Sequence, residues 1–292
     1  MLTKSQKAVL YMVGSVVCFS TMDLIVKYLN NVPFGQVLFM RFFFGMIPIF
    51  FLIPRDKIFT FYKTKRPILH AYRSLCGAVA IIALFVALRT LPLTDVISLT
   101  FTGPLFVTIM SVIFLSEKVG IRRWSAVVIG FIGMLFIVRP AFEEMNLYYI
   151  FPIIFSLGFA NVAISIRSLS KTEPNYLIAF YFSLLSLLIG LSTIVNGWIW
   201  PTPYEAFLFA ILGLAGGVAN LLLTQSYRLA DASLISPIKY LSLVVAIVAG
   251  YLIFNEAPKT MTLFGAGLIV VSSFIIFRRE STLKKQVVVP RA

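Results

Sequence analysis

Residues Leu88 to Val119 read LRTLPLTDVISLTFTGPLFVTIMSVIFLSEKV, and residues Tyr227 to Pro258 read YRLADASLISPIKYLSLVVAIVAGYLIFNEAP. Laid over each other they need no gap: Arg89 meets Arg228, Leu105 meets Val244 and Glu117 meets Glu256. Each opens on arginine and a short turn, runs through an apolar helix that contains a proline (Pro104, Pro237) and ends on a polar residue and Glu. The offset, 228 − 89 = 139 residues, is close to half of the 292-residue chain. Self-similarity at a fixed period marks a duplicated unit.

Composition sets the solvent of that unit. The chain is 60% hydrophobic and 12% charged, and its mean hydropathy is +0.96. Soluble domains hold about 45–50% apolar and about 25% charged residues, so most of this chain is expected to face lipid. About 20 apolar residues cross the hydrocarbon layer as a helix. Ten such runs are predicted, at 8–28, 35–53, 69–88, 93–115, 122–139, 147–168, 176–198, 205–227, 232–254 and 261–277. Lys4 and Lys7 precede the first run, but Val17-Cys18 makes a poor cleavage site, so it reads as a retained helix and not a signal peptide.

The fold class that follows is all-α integral membrane, with ten transmembrane helices arranged as two inverted five-helix repeats. Residues 1–140 form the first repeat (helices 1–5), 141–280 the second (helices 6–10) and 281–292 a cytoplasmic tail. Five spans per unit force the second unit to enter the membrane upside down, and such repeats hold a substrate near the midplane between halves.

Charge gives the orientation. Net charge is +14, from 25 Lys+Arg and 11 Asp+Glu. With both termini inside, the inner segments hold eighteen basic residues and the outer ones only Arg89, Arg139 and Lys259. That bias places both termini in the cytoplasm. The basic residues sit in short clusters between apolar runs and form no face for nucleic acid, so no nucleic-acid partner is expected. Cys18 and Cys76 lie inside apolar runs without metal-ligand spacing, and no metal or cofactor is expected. His70 stands alone at a loop-to-helix junction, there is no P-loop, and no catalytic residue is assigned.

The segments Leu91-Pro92-Leu93-Thr94-Asp95, Ser98-Leu99-Thr100-Phe101-Thr102-Gly103-Pro104 and Phe114-Leu115-Ser116-Glu117-Lys118 resemble the EamA-type transporters of the drug/metabolite transporter superfamily. So do Arg122-Arg123-Trp124, Gly130-Phe131-Ile132-Gly133 and Val138-Arg139-Pro140, and in the second half Ala230-Asp231-Ala232-Ser233, Pro237, Tyr240-Leu241-Ser242-Leu243 and Phe254-Asn255-Glu256. The resemblance covers nearly the whole chain. It implies a ten-helix bundle with a central cavity ringed by helices 1, 3, 4, 6, 8 and 9, with 5 and 10 behind. The first half is especially similar to bacterial uptake members for S-adenosylmethionine and riboflavin. One departure is Lys239, where many relatives carry an acid before the tyrosine of the ninth helix.

Ionisable groups at membrane depth are functional by default. Asp23 and Lys27 share a face of the first helix and can pair locally, as an internal ion pair or a gate. Arg41, two turns into the second helix, is expected to bridge to Asp23. Lys239, beside the Pro237 break, is the leading contact for a substrate carboxylate or phosphate, with Tyr240 next to it. Thr100 and Thr102 occupy the mirrored location, Asn161 and Gln225 add neutral polar contacts, and Arg73 and Tyr72 lie near the start of the third helix. Glu117 and Glu256, at helix ends, read as fold-supporting. Four basic groups against one acid within the spans tilt the field positive and favour an anionic substrate.

The expected function is a secondary transporter of the bacterial inner membrane that moves an amino acid, organic acid or flavin/nucleoside-like metabolite by alternating access. It would work in the lipid bilayer as a monomer or homodimer. The alternatives are a passive channel and a membrane protein acting on lipid-linked substrates.

Overall fold

The computed structural model describes residues 4–54, 60–115, 121–144, 146–169, 172–229 and 236–288. Among these residues every regular element is helical. The helices are α1 (Lys4–Tyr28), α2 (Phe34–Phe50), α3 (Pro67–Thr90), α4 (Leu93–Thr100), α5 (Gly103–Leu115), α6 (Ile121–Glu144), α7 (Ile150–Leu169), α8 (Asn175–Ser192), α9 (Pro203–Leu229), α10 (Leu241–Phe254) and α11 (Thr260–Val288).

Proline sets many of their starts. Pro33, Pro92 and Pro174 cap α2, α4 and α8, Pro67 opens α3, and Pro203 is the first residue of α9. A helix leaves its first N–H groups without an internal partner, so a residue without one is at home there. At the other end, α10 stops on Asn255 in the left-handed region (φ 54°), where an asparagine is tolerated.

Among the described residues six segments are long and apolar enough to cross a membrane: Gln6–Tyr28, Pro67–Thr90, Leu93–Met110, Leu147–Ile166, Asn175–Val195 and Pro203–Leu223. Phe34–Phe50, Trp124–Val138, Ile238–Phe254 and Thr260–Ser272 are shorter apolar helices.

Three local features differ from the sequence reading. The run 93–115 is not one helix: α4 ends at Thr100 and α5 begins at Gly103. Pro104 therefore sits in the first turn of α5 and not in a helix interior, which spares the ladder a missing donor. The last helix does not end at 277 but continues to Val288, through much of the segment read as a tail. Glu117, Lys118, Lys171 and Asp231 lie outside the described residues.

The packing is organised by exchange. Let the first five-helix unit be α1, α2, α3, the α4–α5 pair and α6, and the second α7, α8, α9, the Ser236–Tyr240 turn with α10, and α11. Then α1 packs on α9 as α7 packs on α3, and α2 packs on α9 as α8 packs on α3. Helix α7 packs on α4–α5, and α1 on α10 and its leading turn. The remaining strong contacts join equivalents: α2 with α8, α4 with α10, and α6 with α11.

The α6–α11 contact shows why small residues are needed. A Cβ on Gly133 would lie 2.7 Å from the Gly265 carbonyl oxygen, and one on Gly265 would lie 2.5 Å from that of Gly133. Close backbone approach of this kind is how membrane helices gain packing when lipid is as apolar as they are. The Ser272 hydroxyl donates to the Ala126 carbonyl in the same interface. Because 126 + 139 = 265 and 133 + 139 = 272, these two contacts are images of one another under the repeat.

Candidate functional site

Two helix interruptions meet through Phe101 and Tyr240 at one end of the α4–α10 contact, whose other end holds Leu93 and Thr94 against Gly250 and Glu256. In the first, Phe101 and Thr102 separate α4 from α5. The interruption is locally satisfied: Thr100 Oγ1 donates to Ile97 O (2.7 Å) and Thr102 Oγ1 to Leu99 O (2.7 Å). Ser156 Oγ, from α7, also donates to Leu99 O (3.2 Å). The second is the tight turn Ser236–Tyr240 that leads into α10, where Ser242 Oγ donates to Lys239 O (2.8 Å). Phe101 and Tyr240 meet across the contact with ring centroids 5.0 Å apart at 59°. The offset of 139 carries residue 101 onto 240, so this is a pair of repeat equivalents in contact.

Beside the interruptions, Tyr72 on α3 donates its hydroxyl to Asn161 Oδ1 on α7 (2.9 Å), and Asn161 Nδ2 donates to Leu157 O (3.0 Å). Tyr72 is 44% exposed. Phe159 of α7 is also partly exposed, and its ring lies where a Cβ on Gly103 would come within 3.4 Å. Thr100, Asn161, Lys239 and Tyr240 are half-buried and Gln225 is exposed. Thr102 is fully buried with its hydroxyl spent on the helix, and so stabilises the interruption from behind.

The charged residues partner differently from the sequence reading. Lys27 does not pair with Asp23: its Nζ sits 2.7 Å from Glu256 Oε1 and donates to Leu91 O (2.6 Å). Glu256 Oε2 accepts from the Leu93 N–H (2.9 Å), so one network ties α1, the α3–α4 connection and the end of α10. The expected Asp23–Arg41 bridge is not made either. No N–O distance between them falls within 4.0 Å, and Asp23 Oδ1 and Arg41 Nε have no hydrogen-bond partner. The guanidinium is wedged instead where α2 crosses α9. A Cβ on Gly216 would lie 2.9 Å from Arg41 Nη2, and one on Gly45 3.2 Å from Nη1.

Arg73 is buried against α8, not directed along the α3–α7 face with Tyr72. Its guanidinium lies 4.2 Å from the Phe182 ring centroid, as that of Arg41 does from Phe42. Phe42 and Phe182 themselves meet edge-to-face at 5.2 Å.

Three polar anchors escaped the sequence reading. Arg89 donates to the Leu29 and Val32 carbonyls and so closes the α1–α2 turn. Buried Asp95 accepts from the Tyr149 hydroxyl. Glu173 accepts from Thr64 Oγ1 and the Lys65 N–H (both 2.8 Å), joining the segment before α3 to that before α8. Asp95 stood in the sequence only as the last residue of the Leu91-Pro92-Leu93-Thr94-Asp95 motif and as an acid in a helix first turn, where the dipole favours it; no local pattern marks the partner of any of the three. No cluster of His, Cys, Asp and Glu able to hold a metal occurs among the described residues.

Comparison with known proteins gives a consistent set. The EamA-like transporter family matches twice, over residues 6–139 and 146–278. An S-adenosylmethionine uptake transporter of Rickettsia bellii is 30% identical over 276 residues, covering 94% of each chain. A riboflavin transporter of Rhizobium johnstonii is 28% identical, covering 93% of this chain and 91% of that one. The pseudopaline exporter CntI of Pseudomonas aeruginosa is 26% identical, covering 90% and 93%. A solved crystal structure 17% identical in sequence superposes with a TM-score of 0.65 over 94% of this chain and 98% of its own, a likeness of fold alone.

Proposed function

Because the chain belongs to the EamA-like transporter family, we propose that it is a secondary carrier that moves a small organic metabolite across the bacterial inner membrane by alternating access. It is a multi-pass membrane protein and a transporter, not an enzyme. The six long apolar segments and the four shorter ones make ten crossings, divided into two five-helix units of opposite orientation.

The observation that carries this reading is the exchange of contacts between the units, centred on the Phe101–Tyr240 and α6–α11 pairs. The family model matches once in each half, over residues 6–139 and 146–278, which supports a duplicated unit. Two structurally equivalent units of five crossings each cannot enter a membrane the same way up. If they trade conformations, the space between them opens to one side and then to the other. The lysine and arginine bias places both termini in the cytoplasm.

The binding region lies at the facing interruptions, which helices tolerate in a membrane where the freed backbone groups line a cavity or find partners. Thr100, Tyr240, Tyr72, Asn161 and Gln225 supply contacts there, and Lys239 favours a carboxylate or phosphate. Thr102 and Arg73 stand behind this set. Asp23, Lys27 and Arg41 belong to the framework that moves.

Purified protein in liposomes tests the reading with S-adenosylmethionine, riboflavin, amino acids and organic acids. A carrier gives saturable uptake accelerated by the same solute inside. Flux without saturation or counterflow identifies a channel. Unchanged rates for every anionic solute after Lys239→Ala would remove Lys239 from the site.

A further inference from the structure

The connection from α8 to α9 is unlike a loop made for water. From Pro174 to Tyr204 the chain carries no Asp, Glu, Lys, Arg or His. The segments on either side, Asn175–Val195 and Pro203–Leu223, are both long and apolar enough to cross a membrane, so residues 196–202 lie where the bundle leaves the hydrocarbon. The backbone polarity of this connection is largely spent inside the protein. Buried Gln36, in the first turn of α2, donates from Nε2 to Ile199 O (2.8 Å) and accepts from the Ile199 N–H at Oε1 (3.1 Å). Pro201 and Pro203 have no N–H to satisfy, and the Thr202 N–H donates to Glu205 Oε2 (2.8 Å). The turn at Thr193 is seated so closely on α2 that a Cβ on Gly35 would lie 1.7 Å from Thr193 Oγ1. On this pinned backbone two tryptophans behave oppositely. Trp198 packs on Phe39, with ring centroids 5.1 Å apart, and donates Nε1 to Thr193 Oγ1 (3.1 Å). Trp200 is 97% exposed. Val195 and Ile194 are exposed as well, and exposed Tyr204 meets Tyr28 of α1 edge-to-face at 6.4 Å.

We propose that residues 193–203 form a preformed anchor that inserts Trp200 and Val195 into the headgroup–acyl boundary of the bilayer at the α8–α9 end of the bundle. The partner is the lipid interface itself, where an indole finds an apolar medium for its ring and a wet one for its N–H. With no charged side chain, the loop attaches through apolar area and not through attraction to anionic headgroups. Gln36 is the positioning residue. Its amide replaces water on both backbone groups of Ile199, so the ring beside it enters the interface without carrying unpaired backbone along. Gln36 belongs to the first five-helix unit and the connection to the second, so the anchor fastens one end of the α2–α8 pair at a fixed depth. This inference needs only a multi-pass membrane protein, and it holds for a carrier and a channel alike.

Tryptophan fluorescence of the full chain in phosphatidylcholine nanodiscs tests this. The chain holds three tryptophans, so Trp124→Phe with Trp198→Phe leaves Trp200 as the only indole. Its emission should be shifted to shorter wavelength than that of tryptophan in water and should resist aqueous iodide. Lipid brominated near the carbonyl end of its chains should quench it more strongly than lipid brominated at the chain ends. If the double variant does not fold, the difference between the wild type and Trp200→Phe reads the same quenching. Gln36→Leu, similar in size but without the amide, should lose quenching by brominated lipid, gain quenching by iodide and speed hydrogen exchange at the Ile199 amide. A wild-type Trp200 that iodide quenches and brominated lipid does not overturns the anchor. Quenching from the chain ends alone also overturns it, by placing the ring in the hydrocarbon. A wild-type quenching pattern in Gln36→Leu overturns the positioning role and with it the preformed loop.

Discussion

Removing Lys27 should cost this protein more stability than its position near a helix end suggests. Lys27 is 10% exposed and its partner Glu256 is 27% exposed. Breaking a fully buried ion pair costs about 3–5 kcal/mol, chiefly because one charge is left without compensation. In Lys27→Met, Glu256 keeps the Leu93 N–H and about a quarter of its surface for water, so the cost falls to about 2 kcal/mol. Glu256→Gln is milder, about 1 kcal/mol, since Lys27 retains the Leu91 carbonyl. The double variant should cost less than the sum, with a coupling of about 1 kcal/mol. Exchanging the charges (Lys27→Glu with Glu256→Lys) should rescue only part, because a carboxylate would then face the Leu91 carbonyl and an ammonium the Leu93 N–H. At about 2–4 °C per kcal/mol, Lys27→Met should lower the apparent Tm by roughly 4–8 °C. Thermal unfolding in detergent, followed by size-exclusion profile, measures all four variants. Strict additivity of the two single substitutions, or a Lys27→Met variant as stable as the wild type, would refute the network.

Other substitutions test separate parts of the framework. Gly213→Ala should destabilise by about 1–3 kcal/mol, because its Cβ would lie 2.4 Å from Phe44 Cβ and 3.0 Å from the Gly45 backbone nitrogen. Gly267→Ala meets nothing within 4 Å and should be neutral or slightly stabilising in the same thermal assay. Glu173→Gln exchanges charge-assisted hydrogen bonds for neutral ones, a loss of about 1 kcal/mol. Tryptic cleavage after Lys63 or Lys65 in folded protein should then quicken about fivefold. Tyr72→Phe removes one exposed hydrogen bond to Asn161 and should leave Tm within about 1 °C; its effect should appear as a raised half-saturation concentration for uptake.

Composition, the spacing of apolar runs and the self-overlap of residues 88–119 with 227–258 were enough to give the membrane class, the duplication and the family. Those are properties of segments one at a time: an apolar run leaves water whatever its neighbours are, and a repeat is legible in the letters. The motif Leu91-Pro92-Leu93-Thr94-Asp95 marked the family in the same way. What the sequence could not supply was the partner of each polar group. Asp23 lies four residues from Lys27, yet Lys27 binds Glu256, 229 positions away (256 − 27). Arg41 lies near Asp23 without touching it, because glycines on α2 and α9 open a space for its guanidinium at the helix crossing. Likewise nothing local announces that Phe101 and Tyr240 share a contact. Hydropathy assigns each helix to the bilayer, but side-chain pairing is fixed only where remote helices pack, since there the shapes of both surfaces decide which groups come within reach.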